Sequence, residues 1–155
     1  MAHTYSIGVD IGGTNTDIGL VREDGKIVAR HNIPTNKYFD IEVYLKDIVE
    51  HVKAMMKENE VETIDGIGIC APNGNTYNCT FSGATNLNFK GEFNVQEIVN
   101  KYMDVKVVVS NDANAAAFGE MIYGGGKGMK HLIMFTLGTG VGTGIIVEGK
   151  LLLGA

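Results

Sequence analysis

Val9-Asp10-Ile11-Gly12-Gly13-Thr14-Asn15-Thr16 reads, with its neighbours, as the end of one strand, a tight turn and the start of another. Val9 and Ile11 point an apolar face at a core, Gly12-Gly13 turn the backbone where a side chain would obstruct, and Ile18, Leu20 and Val21 resume a strand. Such a turn sets successive backbone N–H groups around an anion, with the Thr14 and Thr16 hydroxyls beside them. Asp10, one step before the turn, would face the same anion. A carboxylate there requires a cation between the two charges, and Mg²⁺ held by one carboxylate, waters and phosphate oxygens is the usual arrangement. The plain alternative is a Gly-Gly hairpin with an exposed Asp10. These eight residues fit both.

The 155 residues are 45% apolar and 20% charged, the composition of a globular chain with a sizeable core. A net charge of −5 without a basic block argues against nucleic acid or an anionic membrane as partner. No stretch has the length of a transmembrane helix, and Met1-Ala2-His3-Thr4-Tyr5 lacks the pattern of a signal peptide. Cys70 and Cys79 lack a CxxC spacing and are expected to stay reduced, in a cytoplasmic protein. The 21 glycines cluster in loops, as a ligand-cradling chain requires.

Along the chain, Tyr5 to Ile11, Asp17 to Arg22 and Lys26 to Ile33 read as an antiparallel meander. Asp40 caps a helix with Ile41, Leu45, Ile48, Val52 and Met55 on one face. Thr63 to Ile69 reads as a fourth strand ending in the turn residues Ala71-Pro72-Asn73-Gly74-Asn75, and Thr76 to Glu92 reads as irregular. Asn94-Val95-Gln96-Glu97 starts a short helix, Val105 to Val109 is a β-branched buried strand, and Asn111-Asp112-Ala113-Asn114 opens a helix that stops at Gly124. This order predicts an α/β layer with a mixed sheet. The pattern then begins again: a strand from His131 to Leu137, a glycine turn over Gly138 to Gly144, and further short strands. The repeat predicts two related domains, a first over 1–123 and a second, cut off after its opening strands, over 124–155.

Two other phosphate motifs fail. Gly138-Thr139-Gly140-Val141-Gly142-Thr143 departs from the dinucleotide fingerprint at its last position and precedes a strand, and Gly144 to Lys150 carries Leu151 where a Walker A loop needs Ser or Thr. Two glycine hairpins able to hold phosphate remain. Asn111-Asp112 stands at a strand-to-helix junction, where either residue can simply cap the helix. Alternatively, the helix N-terminus keeps Asp112 ionised to accept a hydroxyl proton, while Asn111, with both a donor and an acceptor, suits a polyol.

Asp10-Ile11-Gly12-Gly13-Thr14-Asn15, Ala71-Pro72-Asn73-Gly74-Asn75, Asn86-Leu87-Asn88-Phe89-Lys90-Gly91, Asn111-Asp112-Ala113-Asn114-Ala115-Ala116 and Gly138-Thr139-Gly140-Val141-Gly142 resemble, in order, motifs of the ROK family of sugar kinases, most nearly its bacterial glucokinases. The resemblance implies an actin-like, ribonuclease-H-like two-domain fold, ATP with Mg²⁺, and phosphoryl transfer to a hexose, with glucose 6-phosphate as the expected product. Asp10, Gly12, Gly13, Thr14 and Asn15 then correspond to the first phosphate loop, with Asp10 holding Mg²⁺ indirectly. Gly138, Thr139 and Gly140 correspond to the second. Asp112 matches the catalytic base and Asn111 a sugar ligand, while Asn86, Asn73 and Gly74 shape the sugar pocket. Phe89 stands where similar glucokinases often carry Trp. The family's structural zinc motif, further sugar ligands and adenosine pocket would lie beyond Ala155, so this chain is expected to be an N-terminal half, inactive alone and a homodimer when complete. Two other functions compete. A sugar-responsive ROK transcriptional regulator would carry a helix-turn-helix before the first strand, where only Met1 to Thr4 stand here, and another actin-like ATPase would lack the Asn111-Asp112 corner.

Overall fold

β1 (Tyr5–Ile11), β2 (Asn15–Arg22) and β3 (Ile27–Pro34) form the expected meander in a computed structural model, which describes residues 3–83, 87–138 and 140–153. A 3-10 turn (Thr35–Lys37) leads into α1 (Ile41–Glu58). Asp40 caps that helix: its Oδ1 accepts from the backbone N–H of Glu42 at 2.7 Å and of Val43 at 3.0 Å, an arrangement worth ~1 kcal/mol. Tyr44, Leu45, Ile48, Val49, Val52, Met55 and Met56 make the buried face.

β4 (Ile67–Cys70) is shorter than the Thr63–Ile69 strand read from sequence, because its parallel pairing with β1 starts only at Ile7 opposite Ile67. The stretch read as irregular holds a small hairpin, β5 (Thr80–Ser82) with β6 (Glu92–Asn94), in which Phe81 pairs with Phe93. α2 (Val95–Asn100) follows, capped by Asn94 accepting from Glu97 N–H, and then β7 (Val107–Ser110). The main sheet runs β3-β2-β1-β4-β7, antiparallel at the meander and parallel from β1 to β7. Ile7, Val9, Ile11, Ile18, Leu20, Ile67, Ile69, Val107 and Val109 point to one side, and with the buried faces of α1 and α2 they form one core. The alternation is regular, so Gly8, Asp10, Cys70 and Ser110 stand on the opposite face.

Residues through Ser110 form one compact unit and those from Asn111 a second. The second comprises α3 (Asp112–Tyr123), β8 (Leu132–Leu137), β9 (Val141–Val147) and β10 (Lys150–Leu151), the strands ordered β10-β9-β8 and all antiparallel. The sequence reading counts α3 with the first domain, up to residue 123; in the structure the helix packs on β8 and β9. Glycine explains this packing. A Cβ at Gly144 would sit 2.4 Å from the Ala113 carbonyl oxygen and 2.5 Å from the Ala117 Cβ, and one at Gly142 would sit 3.0 Å from the Ala113 Cβ. Gly142 and Gly144, read from sequence as part of a turn, are therefore strand residues whose missing side chains let an alanine-faced helix lie against the hairpin. The other face of that hairpin carries Ile133, Phe135, Leu137 and Val141, all exposed. Among the described residues no helix is long and apolar enough to cross a membrane.

Candidate functional site

Three parallel strands of the first unit end side by side. Asp10 on β1 pairs in register with Cys70 on β4, and Cys70 with Ser110 on β7. The carboxyl ends of parallel strands are where α/β proteins place ligands, since the loops that follow fan out there. Asp10 is exposed, whereas Cys70 and Ser110 are half-buried, and the Ser110 Oγ is shut off from solvent without a hydrogen-bond partner among the described residues.

The turn after Asp10 is closed by Gly12 N–H donating to the Asn15 carbonyl at 3.0 Å. A Cβ at Gly12 would meet that carbonyl oxygen at 2.8 Å, so the first glycine is required by close approach of backbone to backbone. Thr14 and Asn15 are exposed at the tip and Gly13 is half-buried. Thr16 departs from the sequence reading, which set its hydroxyl beside the anion. Thr16 is the first core-facing residue of β2, fully buried, and its hydroxyl bonds Thr35 and Tyr44. The strand's alternation leaves Asn15 and Asp17 outward and turns Thr16 in.

Two loops flank this edge. In the first, Asn73 adopts a left-handed φ of 57°, which asparagine tolerates, and is exposed. Gly74 donates its N–H to the Ala71 carbonyl, and a Cβ on it would lie 2.4 Å from the Ser110 carbonyl oxygen. Gly74 thus lets the loop close down on the end of β7, and any side chain would lift it. In the second loop Leu87 and Phe89 are buried, Phe89 among the rings of Tyr44, Phe81 and Phe93. Phe89 is a core residue here, and the Asn88 side chain donates to the Asn36 carbonyl at 2.6 Å, which pins the loop. Asn86 lies outside the described residues.

In the second unit, Asn111 caps α3, its Oδ1 accepting from Asn114 N–H at 2.8 Å. The cap engages one end of the amide and leaves the Nδ2 hydrogens for another acceptor, so capping and ligand binding are compatible. Asp112 occupies the first helical position and is exposed as a residue, and the desolvation its carboxyl does meet there raises its pKa from the ordinary aspartate value. Desolvation therefore works against the helix N-terminus, from which the sequence reading expects an ionised group, and brings the carboxyl nearer the range of an effective proton acceptor. Gly138 and Gly140 close the turn between β8 and β9 through a 2.9 Å bond from Gly138 N–H to the Gly140 carbonyl, and neither would bring a Cβ against anything. Their backbone is open to a ligand; Thr139 lies outside the described residues.

Among the described residues no group of three or more His, Cys, Asp or Glu side chains gathers to hold a metal. An exposed Asp10 beside a backbone turn suits Mg²⁺, which keeps several waters and takes its remaining ligands from phosphate. The reading from sequence missed Tyr44 and Thr35, which hold Thr16, and Ser110, which completes the row with Asp10 and Cys70. Strand parity carries the signal for Ser110, because β1, β4 and β7 each place a polar or thiol side chain one step after an apolar-x-apolar triplet.

Residues 6–155 match the ROK family. A glucokinase of Streptomyces coelicolor is 41% identical over 146 residues, 94% of this chain and 44% of that protein. A glucokinase of Halalkalibacterium halodurans is 34% identical over 157 residues, 99% of this chain and 47% of that protein. The solved structure of a ROK family glucokinase from Streptomyces griseus, in complex with glucose and AMPPNP, superposes with a TM-score of 0.80 at 35% identity, covering 97% of this chain and 47% of that one. The chain thus spans about half the length of these relatives. Its mixed α/β sheet is that of the actin-like ATPase fold, and the chain belongs to the ROK family.

Proposed function

We propose that this chain carries the N-terminal portion of an ATP-dependent hexose kinase that converts glucose to glucose 6-phosphate. The observation that carries the reading is the likeness, along nearly the whole chain, to a glucokinase solved with glucose and AMPPNP. The residues support the same chemistry. Asp112 accepts the proton of the attacking sugar hydroxyl, with a carboxyl that desolvation has made more basic than usual. Asn111, its Oδ1 committed to the cap, donates its Nδ2 hydrogens to a neighbouring sugar hydroxyl. Asn73, Gly74 and Asn86 shape the space for the sugar. The turns at Gly12, Gly13, Thr14 and Asn15 and at Gly138, Thr139 and Gly140 receive phosphate oxygens on backbone N–H groups other than those of Gly12 and Gly138, which close the turns, and stabilise the charge that shifts during transfer. Asp10 would hold Mg²⁺ through its waters, and the ion supplies charge neutralisation between the phosphates. A cytoplasmic location and a homodimeric assembly belong to the same proposal.

The test is a chimera of residues 1–155 with the C-terminal half of the Streptomyces coelicolor glucokinase, assayed for ADP release with glucose, mannose and fructose. Glucose-dependent turnover is expected. ATP consumption indifferent to every sugar would refute the reading.

A further inference from the structure

Directly beneath the Gly12–Asn15 turn lies a cluster of three hydroxyls that the proposed chemistry does not use. Thr16 Oγ1 and Thr35 Oγ1 are 2.7 Å apart, and Thr16 Oγ1 also bonds the Tyr44 hydroxyl. All three residues are buried, Thr16 and Tyr44 completely. They come from the head of β2, the 3-10 turn after β3, and α1. The cluster reaches the turn through the backbone as well, since Thr35 N–H donates to the Thr14 carbonyl at 2.8 Å. The Tyr44 ring is held between Tyr38 and Phe89, with centroids 5.0 and 5.4 Å away. Burial pushes the Tyr44 hydroxyl up to about 12, with the Asp10 charge adding to the push, so it stays a donor.

Buried hydroxyls that satisfy only one another give little net stability over well-packed methyl groups of the same shape. What they add is direction. A hydrogen-bonded trio fixes the separation and orientation of its members, where apolar contacts leave several packings of similar energy. Here the fixed members are the residue that ends the turn and the residue whose N–H holds the turn's tip.

We propose that Tyr44, Thr16 and Thr35 are positioning residues for the first phosphate turn, holding the Gly12–Asn15 backbone in the shape that presents its N–H groups to the triphosphate of ATP. This inference rests on the reading of that turn as a nucleotide site. None of the three touches ATP.

The test uses the chimera with the C-terminal half of the Streptomyces coelicolor glucokinase, isotope-labelled and titrated with ATP and Mg²⁺ while the amide resonances of Gly12 to Asn15 are followed, well below the melting midpoint. Thr16→Val and Tyr44→Phe keep shape and remove a hydroxyl. Each should shift the unliganded amide signals of the turn and weaken ATP by about tenfold, the scale of a sub-ångström misplacement. Thr16→Ser restores the hydroxyl and should stay within about twofold of the parent. If either variant fails to fold, Thr35→Val carries the same expectation. Unchanged ATP affinity in folded Val and Phe variants overturns the proposal and leaves the phosphate reading standing. No ATP-dependent shift at Gly12 to Asn15 in the parent chimera overturns the phosphate reading, and the proposal with it.

Discussion

Asp112 sits where two influences oppose each other: the start of α3 favours its charged form, and partial desolvation, which prevails, favours the neutral one. A base works only when deprotonated, so turnover in the chimera should fall as pH drops through a value higher than that of an ordinary aspartate. Asp112→Asn should lower kcat by about 10²–10⁴ with little change in KM for glucose, and remove that acid limb. Full activity at low pH in the parent would remove Asp112 from the mechanism. The linkage to stability has the opposite sense. A carboxyl whose folded pKa is raised contributes stability below its unfolded pKa and loses it as pH rises through the folded one, so the neutral Asn variant should be the less pH-sensitive protein in thermal melts. Gly12 acts at the same scale by geometry alone. Gly12→Ala places a methyl 2.8 Å from the Asn15 carbonyl oxygen, and should cost about 1–3 kcal/mol in a denaturant titration. A loss below the error of that titration would mean that the turn relaxes freely.

At the scale of elements, the contact between α3 and β9 is the sharpest packing constraint in the second unit. Gly144→Val should push α3 off the hairpin, and hydrogen exchange should show amide protection lost in α3, β8 and β9 but kept in β1, β2 and β4. Gly119, inside α3, meets nothing where its Cβ would stand, so Gly119→Ala should stabilise the same unit by about 0.5–1 kcal/mol. Loss of protection in the Gly119→Ala protein, or unchanged protection in the Gly144→Val protein, would contradict this packing. The pair also shows what the sequence could and could not reveal. Signals carried within a few residues were legible: the glycine turns of the meander, the caps at Asp40, Asn94 and Asn111, and the helix stop at Gly124. Signals that depend on a distant partner were not. Phe81 and Phe93 pair as strands although they lie far apart in sequence. Gly142 and Gly144 read as a turn because a glycine needed for bending and a glycine needed for helix approach look identical in sequence. Among the residues of the proposed site, the Asp10 turn and the Asn111-Asp112 corner stand out in the sequence as motifs. The inward hydroxyl of Thr16 does not, since its role depends on Tyr44, which is 28 residues away.

For the whole molecule, the unequal finish of the two sheets matters most. β3, an edge of the larger sheet, carries Arg30, His31 and a terminal Pro34, all of which discourage pairing with another chain. β8, an edge of the smaller sheet, is Leu132-Ile133-Met134-Phe135-Thr136-Leu137, without a charge or a proline, and its exposed face continues to Val141. The 155-residue chain should therefore self-associate as concentration rises, seen by light scattering, and Phe135→Lys should restore a monomer. A parent chain that stays monomeric at high concentration would show this edge to be harmless. ADP release dependent on glucose is not expected from this chain alone. The row formed by Asp10, Cys70 and Ser110 has a practical use. Cys79 is a poor target for alkylation, its thiol pushed up by burial and bonded to the Val107 carbonyl. Cys70 is half-buried at the strand end, one strand away from the carboxylate that would face the nucleotide. A small fluorophore attached there would turn the arrival of ATP at the turn into an optical signal.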